Sequence, residues 1–249
     1  ANLRKNTFTR AGYRFDGWRT ADGTPWDYTT PVTEDMTLTA HWIINTREVT
    51  NEQELKDAMA DTSMGQICLI ADMDISQNLS VTRAVILDLN GHVLRQITNN
   101  CVSFKVESGG DLTLIDSNPT AEHRFTPDSD GLWVWDETGG TKTVKGGIIT
   151  GNAQGRSGSI HVEEGTFTMT AGNLVGCNVY GASSSIGISC GAVYVAANSK
   201  FNMTGGAIQG CLVRQGNGGG VYVNGGQFTM TGGAITDCTV DGFGGGVYV

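Results

Sequence analysis

A parallel β-helix, and so an all-β fold, is the class this chain predicts, on three observations. The first is a recurring phrase, FTMTAGNLVGC at 167–177, FNMTGGAIQGC at 201–211 and FTMTGGAITDC at 228–238. The second is another phrase in step with it: SGSIHV at 157–162, CGAVYV at 190–195, and GGGVYV at 218–223 and again at 244–249. Phenylalanines 167, 201 and 228 are spaced by 34 and 27 residues, and the closing valines of the second phrase by 33, 28 and 26. Self-similarity at such a period marks stacked units. The third is what each unit is made of. Val, Ile, Phe, Tyr and Thr alternate in three short apolar segments separated by glycine pairs, which suits strands and turns and excludes helical solenoids. Propeller blades and leucine-rich repeats need other periods and other fixed residues.

Residues 1–44 do not follow the coil pattern. They hold three of the five tryptophans and two of the four prolines, and read as a separate small β module ahead of a β-helix over 45–249. Within 46–64, TNEQELKDAMAD places Leu55, Ala58 and Met59 on one helical face, with Asn51 and Glu54 spaced as a capping box. A short helix there would cover the open strand edges and apolar interior of the first coil. ICLIADMDI, LSV and VILDLNGHVL then alternate as strands of irregular coils.

From 102 to 115, VSFKVESGGDLTLI repeats the regular spacing, with Leu112 and Leu114 where Phe and Met stand later. The third strand that should follow at once appears only at GGIITGN, 146–152, so 116–145 is an insertion. In the regular coils Phe167, Phe201 and Phe228 form one inward ladder, Met169, Met203 and Met230 a second, and Leu174, Ile208 and Ile235 a third. Surplus length in the 167–201 repeat falls in GASSSIGIS, 181–189, an outward bulge. The chain stops at VYV, halfway through a coil, and is expected to be a piece truncated at its C-terminus.

Composition describes a folded chain: 249 residues with 36 glycines, 4 prolines and 39% hydrophobic residues. A formal charge of −9 argues against a nucleic-acid partner, because phosphates need clusters of Lys and Arg. No apolar run is long enough to insert in a membrane. Of six cysteines, Cys177, Cys211 and Cys238 share one repeat position, where parallel register holds them too far apart for a relaxed disulfide. Buried free thiols are expected. Cys68, Cys101 and Cys190 show no pairing pattern, no metal-ligand spacing is present, and no cofactor is implied.

Catalysis on such a scaffold would need carboxylates gathered on one exposed strand face. The repeats instead place Thr168, Asn202 and Thr229, or Tyr194 and Tyr222, outward, a polar and neutral face. Asp72, Asp74 and Asp88 come nearest to an acidic cluster, in the irregular coils, where carboxylates also end strands. No catalytic residues are assigned. The insertion holds the candidate ligand-binding residues: His123, Arg124, Trp133 and Trp135. Two tryptophans two apart can offer one flat face to a sugar ring while Arg124 or Asp136 bonds hydroxyls. The other reading, preferred to it, is that both rings pin the loop to the coil.

Two resemblances add to this. The run Gly12-Tyr13-Arg14-Phe15-Asp16-Gly17-Trp18, with Val32-Thr33-Glu34-Asp35-Met36-Thr37-Leu38-Thr39-Ala40-His41-Trp42, resembles the latter part of the internalin B-repeat type of Listeria and Bacteroides surface proteins. That family is noncatalytic, which implies a spacer or adhesion role. From Thr46 onward, ELKDAM, LDLNGH and the T-x-GGxIxGN and GGGVYV phrases resemble the pectate-lyase-like parallel β-helix regions of large bacterial surface proteins. Right-handed coiling is implied by that resemblance, in keeping with the rule for parallel crossovers. The expectation is a monomeric, extracellular, noncatalytic stalk or adhesin of a bacterial cell surface, with glycans or host surface proteins as partners. A polysaccharide lyase or glycoside hydrolase on the same scaffold is the alternative.

Overall fold

The computed structural model describes residues 8–151, 156–157, 160–179 and 191–249. The bulge at 181–189, Cys190 and Asn152 lie outside them. Among the described residues the fold is all-β with one helix, and three of the sheets are parallel throughout. Sheet one runs from Thr46–Val49 through Gln66–Leu69, Ala84–Asp88, Gly110–Ile115, Gly165–Met169 and Lys200–Met203 to Gln227–Met230. Sheet two runs from Met73–Ile75 through Val93–Gln96, Ile148–Thr150, Asn173–Val175 and Ala207–Gln209 to Ala234–Thr236. Sheet three runs from Leu79–Val81 through Phe104–Val106, Ile160–Val162, Val193–Val195 and Val221–Val223 to Val247–Tyr248.

The chain visits the sheets in the order one, two, three and then begins again. Six such circuits span 66–81, 84–106, 110–162, 165–195, 200–223 and 227–248. The third apolar segment of the last repeat, AITDCTV at 234–240, is not one strand but breaks into Ala234–Thr236 and Thr239–Val240, the latter in a small fourth sheet with Leu212–Val213. Asp237 makes the corner with φ of 53°, at the repeat position where Gly176 and Gly210 have φ of 62° and 61°.

Register follows the repeat. Phe167 pairs with Phe201 and Phe201 with Phe228, and both ring pairs stack with centroids 4.9 Å apart. Leu174, Ile208 and Ile235 pair likewise. Alternate residues of the strands of sheets one to three enter one core through the first five circuits, including Leu87, Leu112, Phe167, Phe201 and Ile208, all fully buried. In the sixth, Phe228 and Ile235 are part-buried against it and Met230, expected in the methionine ladder, is exposed. Cys177 and Cys211 are buried cysteines outside any disulfide, and Cys238 is a part-buried one. Burial pushes the Cys211 thiol well above its usual range, and contact with Cys211, then burial, does the same to Cys238. Tyr194, set between the core residues Val193 and Val195, lies in the outward row with His161 and Tyr222 but is itself buried.

The segment 46–64 is not helix throughout. Thr46–Val49 is the first strand of sheet one, and the helix occupies Glu52–Ala60. Asn51 Oδ1 accepts from the Glu54 N–H at 3.0 Å, while Glu54 reaches back to the Thr50 N–H at 2.8 Å rather than to that of Asn51. Leu55 and Ala58 are buried in the core against the first strands. At the other end of the helix, the Arg83 guanidinium donates to the Ala58 and Met59 carbonyls and so satisfies two of the terminal acceptors.

Ahead of sheet one, Tyr13–Arg19 and Thr39–Ile44 form an antiparallel hairpin whose second strand leads through Asn45 into Thr46–Val49. Phe15 meets Trp18 and Trp42 edge-on. The hairpin rests on the turn after the helix at Gly12 and Gly65, which approach so closely that neither has room for a β-carbon.

Candidate functional site

The insertion is a small antiparallel sheet rather than a loop. Glu122–Pro127 lies between Trp133–Trp135 and Lys142–Lys145. Its neck is closed by Asp116, which sequence reasoning missed. One carboxylate oxygen accepts from the Gly91 N–H at 2.7 Å and the other from the Gly147 N–H at 2.8 Å, drawing the two ends of the insertion together.

What the insertion covers explains its sequence. Val93, Ile148 and Val175 point outward from sheet two, yet all are fully buried, because Phe125, Trp133 and Val144 pack over them with Trp135 alongside. Farther along the same sheet the outward positions change to Ala207, Gln209, Ala234 and Thr236. Large apolar outward residues therefore coincide with the covered part of the sheet. Burying this cluster contributes on the order of 1.5–3 kcal/mol per large side chain.

Each candidate ligand-binding residue now has a place. Trp133, only 7% exposed, lies with its ring over Gly210, and its backbone N–H donates to the Gly210 carbonyl at 2.9 Å. Trp135 is part-buried against the same cluster, has the Arg95 guanidinium 5.0 Å from its ring centre and donates from Nε1 to Glu137 at 2.5 Å. Of the two readings of this tryptophan pair, the geometry is that of rings set against the coil: side chains two apart on a strand share one side, and here that side faces sheet two. His123 is buried too, with Nε2 2.8 Å from the Gly91 carbonyl oxygen and Nδ1 3.0 Å from Glu137 Oε1. Arg124 is exposed on the outer side, and only its backbone N–H turns to Glu137. The four candidates are thus brought into one small sheet, but three serve its docking and Arg124 alone presents its head group to solvent.

Asp136 sits at the tight turn into the third strand. The Gly139 N–H and then the Thr126 hydroxyl hold its carboxyl below the usual range, so it acts as a turn acceptor. The acidic residues of the early circuits are committed in the same way. Asp72 accepts from the Val93 N–H at 2.9 Å, and Asp74 holds Arg95 through two contacts of 2.7 and 2.8 Å. Asp88, 3% exposed, accepts from the Asn90 and Ser117 N–H groups, both at 2.9 Å. A cleft of about 550 Å³ opens elsewhere, beside the N-terminal hairpin, lined among others by Phe8, Arg10, Tyr13, Phe15 and Trp42. It contains none of the candidate residues.

No family model, curated protein or solved structure matches this chain. No described helix is long and apolar enough to cross a membrane.

Proposed function

We propose that residues 45–249 are a right-handed parallel β-helix from a bacterial cell-surface protein, acting as a noncatalytic stalk or adhesive surface. Residues 1–44 are read with it as the latter part of a B-repeat-like spacer. The observation that carries the reading is the rotation of the chain through three parallel sheets with phenylalanine, methionine and aliphatic ladders in register. Strand spacing of about 4.8 Å makes six circuits a rod of roughly 29 Å, held by hydrogen bonds along its axis. A rod of this kind suits spacing and display. The carboxylates nearest to a cluster are engaged with backbone amides and Arg95, which supports a structural role for them. Glycans or host surface proteins are the partners proposed for the flank, with Arg124 the candidate contact from the insertion.

A screen of neutral and acidic polysaccharides, with and without Ca²⁺, tests the reading. Neither unsaturated products nor new reducing ends are expected, and glycan-array binding, where seen, should fall in Arg124→Ala. Turnover abolished by Asp74→Asn or Asp72→Asn would replace it with a polysaccharide-active enzyme.

A further inference from the structure

The insertion leaves the chain in the third circuit but does not stay there. Backward, it reaches the second circuit: His123 lies against the Gly91 carbonyl, and Arg95 over the Trp135 ring. Beneath it, Val93, Ile148 and Val175 belong to the second, third and fourth circuits. Forward, the Trp133 backbone N–H donates to the Gly210 carbonyl of the fifth circuit, and its ring lies on that glycine. Asp130 forms a 2.6 Å ion pair with Arg214, also of the fifth, and Arg214 in turn holds Asp241 of the sixth at 2.7 Å. Gly131 lies beside Thr239 of the sixth. One short sheet therefore touches five of the six circuits, a reach of roughly 19 Å at about 4.8 Å per strand.

A stack in which each circuit bonds only its neighbours opens from an end, one unit at a time. We propose that the insertion is a longitudinal brace, coupling circuits that do not touch one another so that the second through the sixth open together. Its contacts are of the kinds that resist separation: a buried indole seated on a glycine, a shared apolar cluster, and a cation bridging two carboxylates from different segments. The inference rests on the stacked-coil reading above, and deepens it by giving a stalk resistance to fraying.

Native-state hydrogen exchange on the whole chain tests it, comparing amides of 209–213 and 236–240 with those of 67–69 and 86–88. In the parent, protection recurring at the strands of every circuit checks the stacked reading itself. Trp133→Ala is expected to speed exchange in the fifth and sixth circuits at least tenfold relative to the first and second. Asp130→Ala, a change at a part-exposed position that leaves the apolar cluster intact, should give a smaller effect of the same pattern, while Lys200→Ala on the open face of sheet one should give none. If both brace variants changed all circuits by one common factor, or altered only the insertion's own amides, the brace would be ruled out.

Discussion

A single glycine shows how strictly the repeat is written. Gly210 has φ of 61°, a left-handed conformation costly to residues with a β-carbon, and a β-carbon there would run into the Trp133 ring. Gly225 has φ of 78° and only Ala197 near it, at ordinary contact distance. Gly225→Ala should therefore cost about 1 kcal/mol, the backbone term alone, whereas Gly210→Ala adds displacement of a buried indole and should exceed about 2 kcal/mol. Denaturant melts of the two variants make the comparison; equal losses would mean that Trp133 does not sit on Gly210. Asp237 stands at the equivalent position of the next circuit, also left-handed, and is exposed with no indole above it. Asp tolerates this conformation better than most residues.

At the scale of elements, the helix and the insertion differ in how much of each the sequence disclosed. Glu52–Ala60 carried local signals, the Asn51 cap and the Leu55 and Ala58 face, and local signals survive without knowledge of the rest of the fold. Asn51→Ala should cost about 1 kcal/mol by freeing the Glu54 N–H, with thermal melting as the measure. Arg83 could not be read in the same way, because its partners, the Ala58 and Met59 carbonyls, are 25 and 24 residues away. The insertion was harder still. That Trp133 and Trp135 share one side follows from strand geometry, but which side is covered depends on Val93, Val175 and Gly210, each from a different circuit. A clue was present in Ile148-Ile149 and Leu174-Val175: two adjacent large apolar residues on a strand imply that both faces are buried, while Ala207-Ile208-Gln209 and Ala234-Ile235-Thr236 put only alanine or a polar residue on the outer face.

For the molecule as a whole, the ladders make stability a shared property. Ile208 is fully buried between Leu174 and Ile235, and Ile208→Asp places a charge where no partner can reach it. The expected result is the loss of one cooperative melt, seen by circular dichroism. A melt within a degree or two of the parent would contradict the inward placement of Ile208. The regular circuits were the most legible part of the chain because their period repeats the same choice at every level, strand, turn and core. The same regularity creates an error of its own during folding. The fifth and sixth circuits share FxMTGGAI and GGGVYV, so the strands of either could dock on the fourth with phenylalanine still above phenylalanine, leaving a whole repeat looped out. The ladders cannot tell these threadings apart. The corner residue can: the skipped arrangement would bring Asp237 beneath Trp133, into the space where even a β-carbon at Gly210 does not fit. One indole and one glycine thus serve as a proofreading mark, assigning each of two near-identical stretches to its own level.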